Sequence, residues 1–547
     1  MSERFVVDFR IAAAERDTLF APGWRWPIPQ SAYDDPLREF VEWAYRLPAD
    51  LAHDEQLRTA YELVESDLLK DLAWIVGAWV DVSTARQQGL DLVFGSDQRM
   101  YQMLASDRFE NYSPMSESRA AGELALWGRS RKALRFARDR TNWLRSAFKG
   151  RSGAHTISAN TLSNELSGGR ATPIRLAYAD LQKQRRRNRS VHPEIPDVAN
   201  TIGRSLFDSL ADAGHQQSEK FETFVRRIVL NYLTTGWQDR GFTPGFTPDQ
   251  SMTLFTGTGG AYLARVVGHS FQENGGTVVR TTHGGETVLF NDPLWPSTEL
   301  PFADTYVTYG VRAAERVGAI AERHQSVRAA NRRTAVMAGG SQFHRDILER
   351  AASQTVPVKN VYVVSASFSG TVRAIPNVKI HDVVYYDWHR RLLELVRSAG
   401  FTTVAKRHPK GQGAGMPMFA DMASDELRLA GMSDTFGQAD AYVMDIAGSA
   451  FMEALCTLKP IVLVDIPNRL MTDEGRARIG ESVQIVRAEF DENNRVVADA
   501  DQVVEGLRKP VDIDARMSFI SDYLTVPDRR IKGLALDEPC HRTRPKM

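Results

Sequence analysis

Residues 439–465, ADAYVMDIAGSAFMEALCTLKPIVLVD, read as strand, turn, helix and strand within one short span. The runs AYVM and IVLV have the β-branched and aromatic make-up of buried strands, FMEALCTL suits a helix, and Gly448-Ser449 mark the turn between them. A unit of this kind crosses over right-handed and returns its second strand parallel to the first. The same alternation runs upstream. NVYVVSASFSG (360–370) is a strand ending in small hydroxyl residues, YYDWHRRLLELVRSAG (385–400) is a helix closed by glycine, and FTTVAKRHPKGQGAG (401–415) is a strand running into a basic, glycine-rich loop. One parallel sheet then gathers three loops at its carboxyl edge: Ser365, Ser367 and Ser369; Lys406, Arg407, His408, Pro409 and Lys410; and Asp445, Gly448 and Ser449 with Glu453 in the following helix.

The pattern occurs twice. SMTLFTGTGG (251–260), AYLARVVGHSFQENGG (261–276) and TVVRTTHGGE (277–286) read as strand, helix and strand. Open α/β sheets bind ligands outside the carboxyl ends of their strands. Topology therefore sets Gly257, Gly259 and Gly260, then His283, Gly284, Gly285 and Glu286, at a second cleft edge. The charged helical stretch near 310–330 divides the two halves. The expected organisation is a largely helical region over 1–130, a first lobe over 131–325, a second lobe over 326–525 and a polar tail over 526–547.

The 547 residues carry 68 Lys+Arg against 68 Asp+Glu, so no global field draws the chain to nucleic acid. Two cysteines, Cys456 and Cys540, make neither a disulfide framework nor a cysteine-based zinc site and suit a reducing compartment. The N-terminus lacks the apolar core of a secretory signal, and the expected location is cytoplasmic. Trp24, Trp26, Trp43, Trp74 and Trp79 read as packing residues. Residues 129–151 hold nine basic residues against one acid with an apolar stripe at helical spacing. That helix suits peripheral contact with the inner face of an anionic membrane, or packing of its stripe on its own domain.

The chemistry suggested by the second half is phosphate binding. A glycine-serine turn at a helix start offers free N–H groups, Lys406, Arg407 and Lys410 add cations, and His408 can donate to a phosphoryl oxygen. Each of these loops also has an ordinary reading as a cap or turn. In the first half, an imidazole beside two glycines is a suitable general base for an acceptor hydroxyl, since its unperturbed pKa of about 6.5 lets it take a proton near neutrality. The same histidine can equally be satisfied by backbone groups in a tight turn, and Glu286 can orient it or act itself. No other histidine has partners at ligand spacing, so no metal or bound cofactor is expected.

Over roughly residues 355–470, the strand VYVVSASFSG, the helix YYDWHRRLLELVRSAG, the RHPKG segment and residues 439–465 resemble the donor domain of GT-B glycosyltransferases. The likeness is to CDP-glycerol glycerophosphotransferases and to sialyl-, polysialyl- and capsule transferases that use CMP- or CDP-activated donors. The HP motif of that group corresponds to His408-Pro409, its following serine motif to Gly448-Ser449, and its N-terminal HG motif to His283-Gly284. This chain has KRHP where the family often has RPHP or KPHP, and Asp445-Ile446-Ala447-Gly448-Ser449 where the family has a double serine. The resemblance implies two Rossmann-like lobes with parallel sheets facing across a cleft, and metal-independent transfer of a sugar from a nucleotide donor to a surface glycan or a protein. Alternatives within the same reading are polyol-phosphate transfer, nucleotide-sugar 2-epimerisation, and an inactive scaffold for glycan assembly.

Overall fold

The structure, a computed structural model, describes residues 3–109, 153–174, 176, 178–292, 294–328, 332–351, 357–368, 380–409, 415–467 and 471–526. The basic stretch 129–151, Ser369, Lys410 and residues 527–547 lie outside them.

A two-stranded parallel pair, β1 (Arg4–Val6) and β2 (Asp91–Val93), begins the chain. The first large sheet contains β3 (Ala154–Ile157), β4 (Thr172–Pro173), β5 (Thr253–Thr256), β6 (Thr277–Thr281), β7 (Thr305–Thr308) and β8 (Ala335–Ala338). Its order is β4-β3-β5-β6-β7-β8, all parallel. The edge strand β8 lies beyond residue 325, so the first lobe extends further than the sequence reading had it.

The second sheet contains β9 (Asn360–Val364), β10 (Thr402–Lys406), β11 (Asp425–Leu427), β12 (Ala441–Met444), β13 (Ile461–Asp465), β14 (Gln484–Phe490) and β15 (Val496–Ala498). They follow the order β11-β10-β9-β12-β13-β14-β15, with only β15 antiparallel to its neighbour. The four residues of VYVV and of AYVM are buried, as expected of central strands covered by helices on both faces.

Four long helices pack together beside the first sheet: Gln30–Asp50, Glu55–Gln88, Ile195–Asp212 and Glu219–Asp239. The 34-residue helix Glu55–Gln88 starts where Asp54 accepts the N–H groups of Gln56 and Leu57, and stops at Gly89, whose φ of +65° places it in the left-handed region. Its buried acids are all partnered. Glu65 meets Arg328, Asp71 takes the Tyr232 hydroxyl, and Asp81 takes the hydroxyls of Tyr33 and Tyr101. Arg328 lies near the end of the helix that follows β7, so the helical layer is pinned to the first lobe and is not an appendage. Trp26 and Trp79 are buried, and Trp24, Trp43 and Trp74 pack half-buried against the same core. Among the described residues, no helix is long and apolar enough to cross a membrane.

The carboxyl edges of the two large sheets meet. Past β6, Leu289 O accepts the Thr472 N–H at 2.9 Å and Phe290 pairs with Met471, which follows β13. The C-terminal helix Ile513–Tyr523 begins on the second lobe, where buried Arg516 donates to Ser482 O, and ends on the first. There Arg345 Nη2 donates to Val526 O at 3.0 Å, and the passage is so close that a Cβ on Gly310 would lie 2.2 Å from Asp522 O.

Candidate functional site

In the second sheet, β9 is followed on one side by β10 and β11, and on the other by β12, β13 and β14. The strand order therefore reverses between β9 and β12, and at such a reversal point open α/β sheets bind ligands in the crevice outside the carboxyl ends of the strands. Ser365 follows β9 directly. It is buried, its N–H donates to Lys406 O at 3.0 Å, and its Oγ has no hydrogen-bond partner among the described residues. Lys406 closes β10 and is 3% exposed, yet among the described residues its ammonium uses one donor only, on Arg407 O at 2.7 Å. Burial pulls its pKa down to about 8, against the attraction of Glu453 and Asp434. Glu453, on the helix Ser449–Leu455 after β12, is pushed up to about 7 by burial, with Lys406 working the other way. Gly448 caps that helix without any side-chain hydrogen bond, and Ser449 is exposed at its start. His408 and Pro409 are exposed at the same edge, and Ser367 is half-buried beside Ser365.

Two residues expected to bind phosphate are committed elsewhere. The Arg407 guanidinium donates to Glu426 Oε1 at 3.0 Å and to Met416 O, and Glu426 also accepts the Met418 N–H. Arg407 thus anchors the excursion between β10 and β11. Asp445 is buried and filled: Oδ1 accepts the Tyr385 hydroxyl at 2.9 Å, while Oδ2 meets Trp388 Nε1 at 3.1 Å and His389 Nε2 at 2.9 Å. Tyr385, Trp388 and His389 share one face of the helix Asp382–Ser398, an i, i+3, i+4 set of aromatic donors that is visible in YYDWH. The Tyr385 oxygen also accepts the Ala366 N–H at 2.8 Å.

The first sheet has its own reversal point, between β3 and β5. It is filled by the chain itself. Asn160 Nδ2 donates to Gly257 O at 3.1 Å and Thr282 O at 2.7 Å, and its Oδ1 accepts from Ser163 N–H and the Thr281 hydroxyl, both at 2.9 Å. A Cβ on Gly257 would lie 2.5 Å from Asn160 N, and one on Gly259 would lie 2.3 Å from Thr298 O. The Glu299 carboxylate accepts the Gly259 N–H at 2.7 Å and the Thr258 hydroxyl at 2.8 Å, and Gly260 N–H donates to Thr258 Oγ1. Gly257 and Gly259 are needed for close packing of this chain. No sequence signal marked Asn160.

His283 is exposed just past β6. Its loop is held from behind. Asn160 grips the Thr282 carbonyl, and Thr282 Oγ1 accepts the N–H of Gly285, whose φ of +79° and contact with Tyr309 require glycine. Gly284 is buried, and Glu286 opens the short helix Glu286–Leu289, its side chain outside the described residues. That short helix leads into the contact with Thr472, so the imidazole stands on the edge of the first lobe that faces the second.

No protein-family model matches the chain, and no curated protein matches it. Among solved structures it has a likeness to Phytolacca americana UGT2 complexed with UDP-2fluoro-glucose and pterostilbene. The identity is 12% and the TM-score 0.29, over 49% of this chain and 70% of that one. A likeness that loose assigns nothing to individual residues. The chain's own topology, two largely parallel sheets meeting at their carboxyl edges with a C-terminal helix returning to the first, is a two-lobed α/β fold.

Proposed function

We propose that the protein is a glycosyltransferase that takes a sugar from a nucleotide-activated donor of CMP or CDP type and passes it to a hydroxyl of a surface glycan or a protein. One contrast carries the reading. The reversal point of the second sheet keeps the buried Ser365 hydroxyl without a partner among the described residues, whereas that of the first sheet is filled by Asn160.

In this reading Ser365 Oγ, Lys406 Nζ, His408 and the uncapped turn at Gly448-Ser449 hold the donor phosphate. The acceptor oxygen attacks the anomeric carbon and its proton passes to His283. The bond from that carbon to the phosphate oxygen breaks, and the nucleotide leaves with the electron pair. Donors already fixed around the phosphate stabilise the charge that collects there, commonly the largest electrostatic contribution to catalysis.

The direct test is a thermal-shift series with CMP, CDP, UDP, GDP and ADP on the wild type and on Lys406→Met. A stabilisation by CMP or CDP that is lost in the variant is expected, since a ligand bound only by the native state raises apparent stability. Equal shifts in both proteins would remove Lys406 from the site.

The pKa of Lys406 adds a pH dependence. Its folded value lies below the ordinary one, so the ammonium that attracts a phosphate is present below about pH 8 and is lost above it. Nucleotide affinity should fall about tenfold per pH unit beyond that point, while Lys406→Arg should hold its affinity through this range. Without ligand the sign is opposite: between pH 8 and 10.5 the unfolded chain binds the proton that the native state has released, so this group's contribution to stability rises with pH. Calorimetric titration with CDP at stepped pH reads the first effect, and a flat profile in the wild type would contradict it.

A further inference from the structure

We infer that Tyr385 is a positioning residue for the crevice between β9 and β12, braced from behind by the N-terminal helix Phe9–Ala14 through Phe9 and Phe368. The inference rests on the proposed reading only in taking that crevice as the nucleotide site.

The Tyr385 hydroxyl spans the reversal point. It accepts the Ala366 N–H at 2.8 Å on the β9 side and donates to Asp445 Oδ1 at 2.9 Å on the β12 side. One oxygen thereby sets the separation of the two loops that form the crevice walls. Ala366 is the neighbour of Ser365, whose buried Oγ is without a partner among the described residues. Freeing the Ala366 N–H lets that hydroxyl swing away from the phosphate position. Asp445 keeps Trp388 and His389 on Oδ2 in either case, so its pin to the helix survives the loss of this one tyrosine oxygen.

The brace comes from the far end of the chain. The Phe368 ring packs against Tyr385 at 5.4 Å between centroids and stacks on Phe9 at 5.3 Å and 19°. Phe9 is fully buried, and its helix is fixed where Asp8 accepts from the N–H groups of Arg10 and Gly95. The same N-terminal segment is fastened to the second lobe elsewhere. Arg16 Nε lies 3.2 Å from Asp421 Oδ2, the Trp26 ring packs on His381 at 4.4 Å, Trp26 N–H donates to Asn493 O, and Asn494 Nδ2 donates to Trp26 O. Residues 8–26, which the sequence assigns to a separate helical region, are thus part of the frame of the crevice.

The test uses the full chain, with Tyr385→Phe, which keeps the ring and removes both hydrogen bonds, and Phe9→Leu. CMP and CDP are titrated by calorimetry, and hydrogen exchange is followed over 360–368 and over the rest of the second lobe without ligand. For Tyr385→Phe we expect about tenfold weaker nucleotide binding, faster exchange confined to Ala366–Phe368, and a melting temperature lowered by roughly 3–6 °C. Phe9→Leu should shift the same peptides in the same direction by less. Unchanged exchange at Ala366–Phe368 overturns the inference. So does weaker binding accompanied by faster exchange throughout the lobe, which is general loosening. If the wild type binds neither nucleotide, the reading of the crevice fails, and the exchange at Ala366–Phe368 in Tyr385→Phe still decides the brace.

Discussion

Asp445→Ala is expected to lower the melting temperature of the second lobe by about 10 °C. The carboxylate is buried and takes three donors, the Tyr385 hydroxyl, Trp388 Nε1 and His389 Nε2, all from one helix. Removing it leaves three buried donors with nothing to bond, each costing roughly 1–3 kcal/mol, and the helix Asp382–Ser398 loses its pin to β12. The costs overlap because one relaxation relieves all three, so a total of about 4 kcal/mol is a fair expectation. At roughly 2–4 °C per kcal/mol for a lobe of this size, that is about 10 °C. Asp445→Asn keeps the shape and an acceptor oxygen but sets an amide against other donors, and should lose about half as much. Scanning calorimetry reads both. A melting temperature for Asp445→Ala within about 2 °C of wild type would show that the three donors find other partners.

Arg328→Met is expected to destabilise the first lobe by about 3–5 kcal/mol, with most of that cost recovered by adding Glu65→Leu. Arg328 and Glu65 are fully buried and joined by one hydrogen bond of 2.7 Å between Nη2 and Oε2. Among the described residues Arg328 Nε and Nη1 and Glu65 Oε1 have no hydrogen-bond partner, so desolvation of the pair is only partly offset. Removing the arginine alone strands a buried carboxylate, whereas removing both leaves an apolar contact between the long helix and the first lobe. The sign of the pH effect follows from Glu65, whose pKa burial already pushes up to about 7. The native state then binds a proton that the unfolded chain gives up above its ordinary carboxylate pKa, so this group's contribution falls as pH rises from about 4.5 through 7. Without Arg328 the window moves higher. The single variant should therefore be closest to wild type near pH 5 and furthest near pH 8, and the double variant, which keeps Glu62 beside the same position, should show a much smaller dependence. Denaturant titrations at the two pH values measure this, and a double variant as unstable as Arg328→Met would contradict it.

Much of the second lobe was legible because its central strands are buried on both faces and so read as uninterrupted apolar runs: VYVV, AYVM and IVLV. In the first lobe, β3 and β4 are four and two residues long and carry no such run, so the β3–β5 reversal point was invisible. β8, the run AVMA, follows a charged helix and lies past the expected boundary at 325. The helical region looked independent because nothing local announces that Glu65 meets an arginine 263 positions later. Strand ends alone make Ser365, Lys406 and Gly448 candidates. They did not separate Lys406 from Arg407, since neighbouring residues at a strand end point to opposite sides. Which of them keeps its charge for a ligand depends on Glu426 standing on Arg407's side, a matter of tertiary packing. Asp445 was chosen for its place, and the aromatic donors at i, i+3 and i+4 in YYDWH were the available sign that it serves the fold.

The central claim is that a nucleotide binds at the β9–β12 reversal point of the second lobe. Hydrogen exchange with and without saturating CDP, and again with CMP, tests it most directly. The account predicts slowed exchange over 365–368, 406–409 and 446–450, with no change over 257–260, where the first lobe's own reversal point is already filled. Protection over 257–260 with none at the second-lobe loops would contradict it.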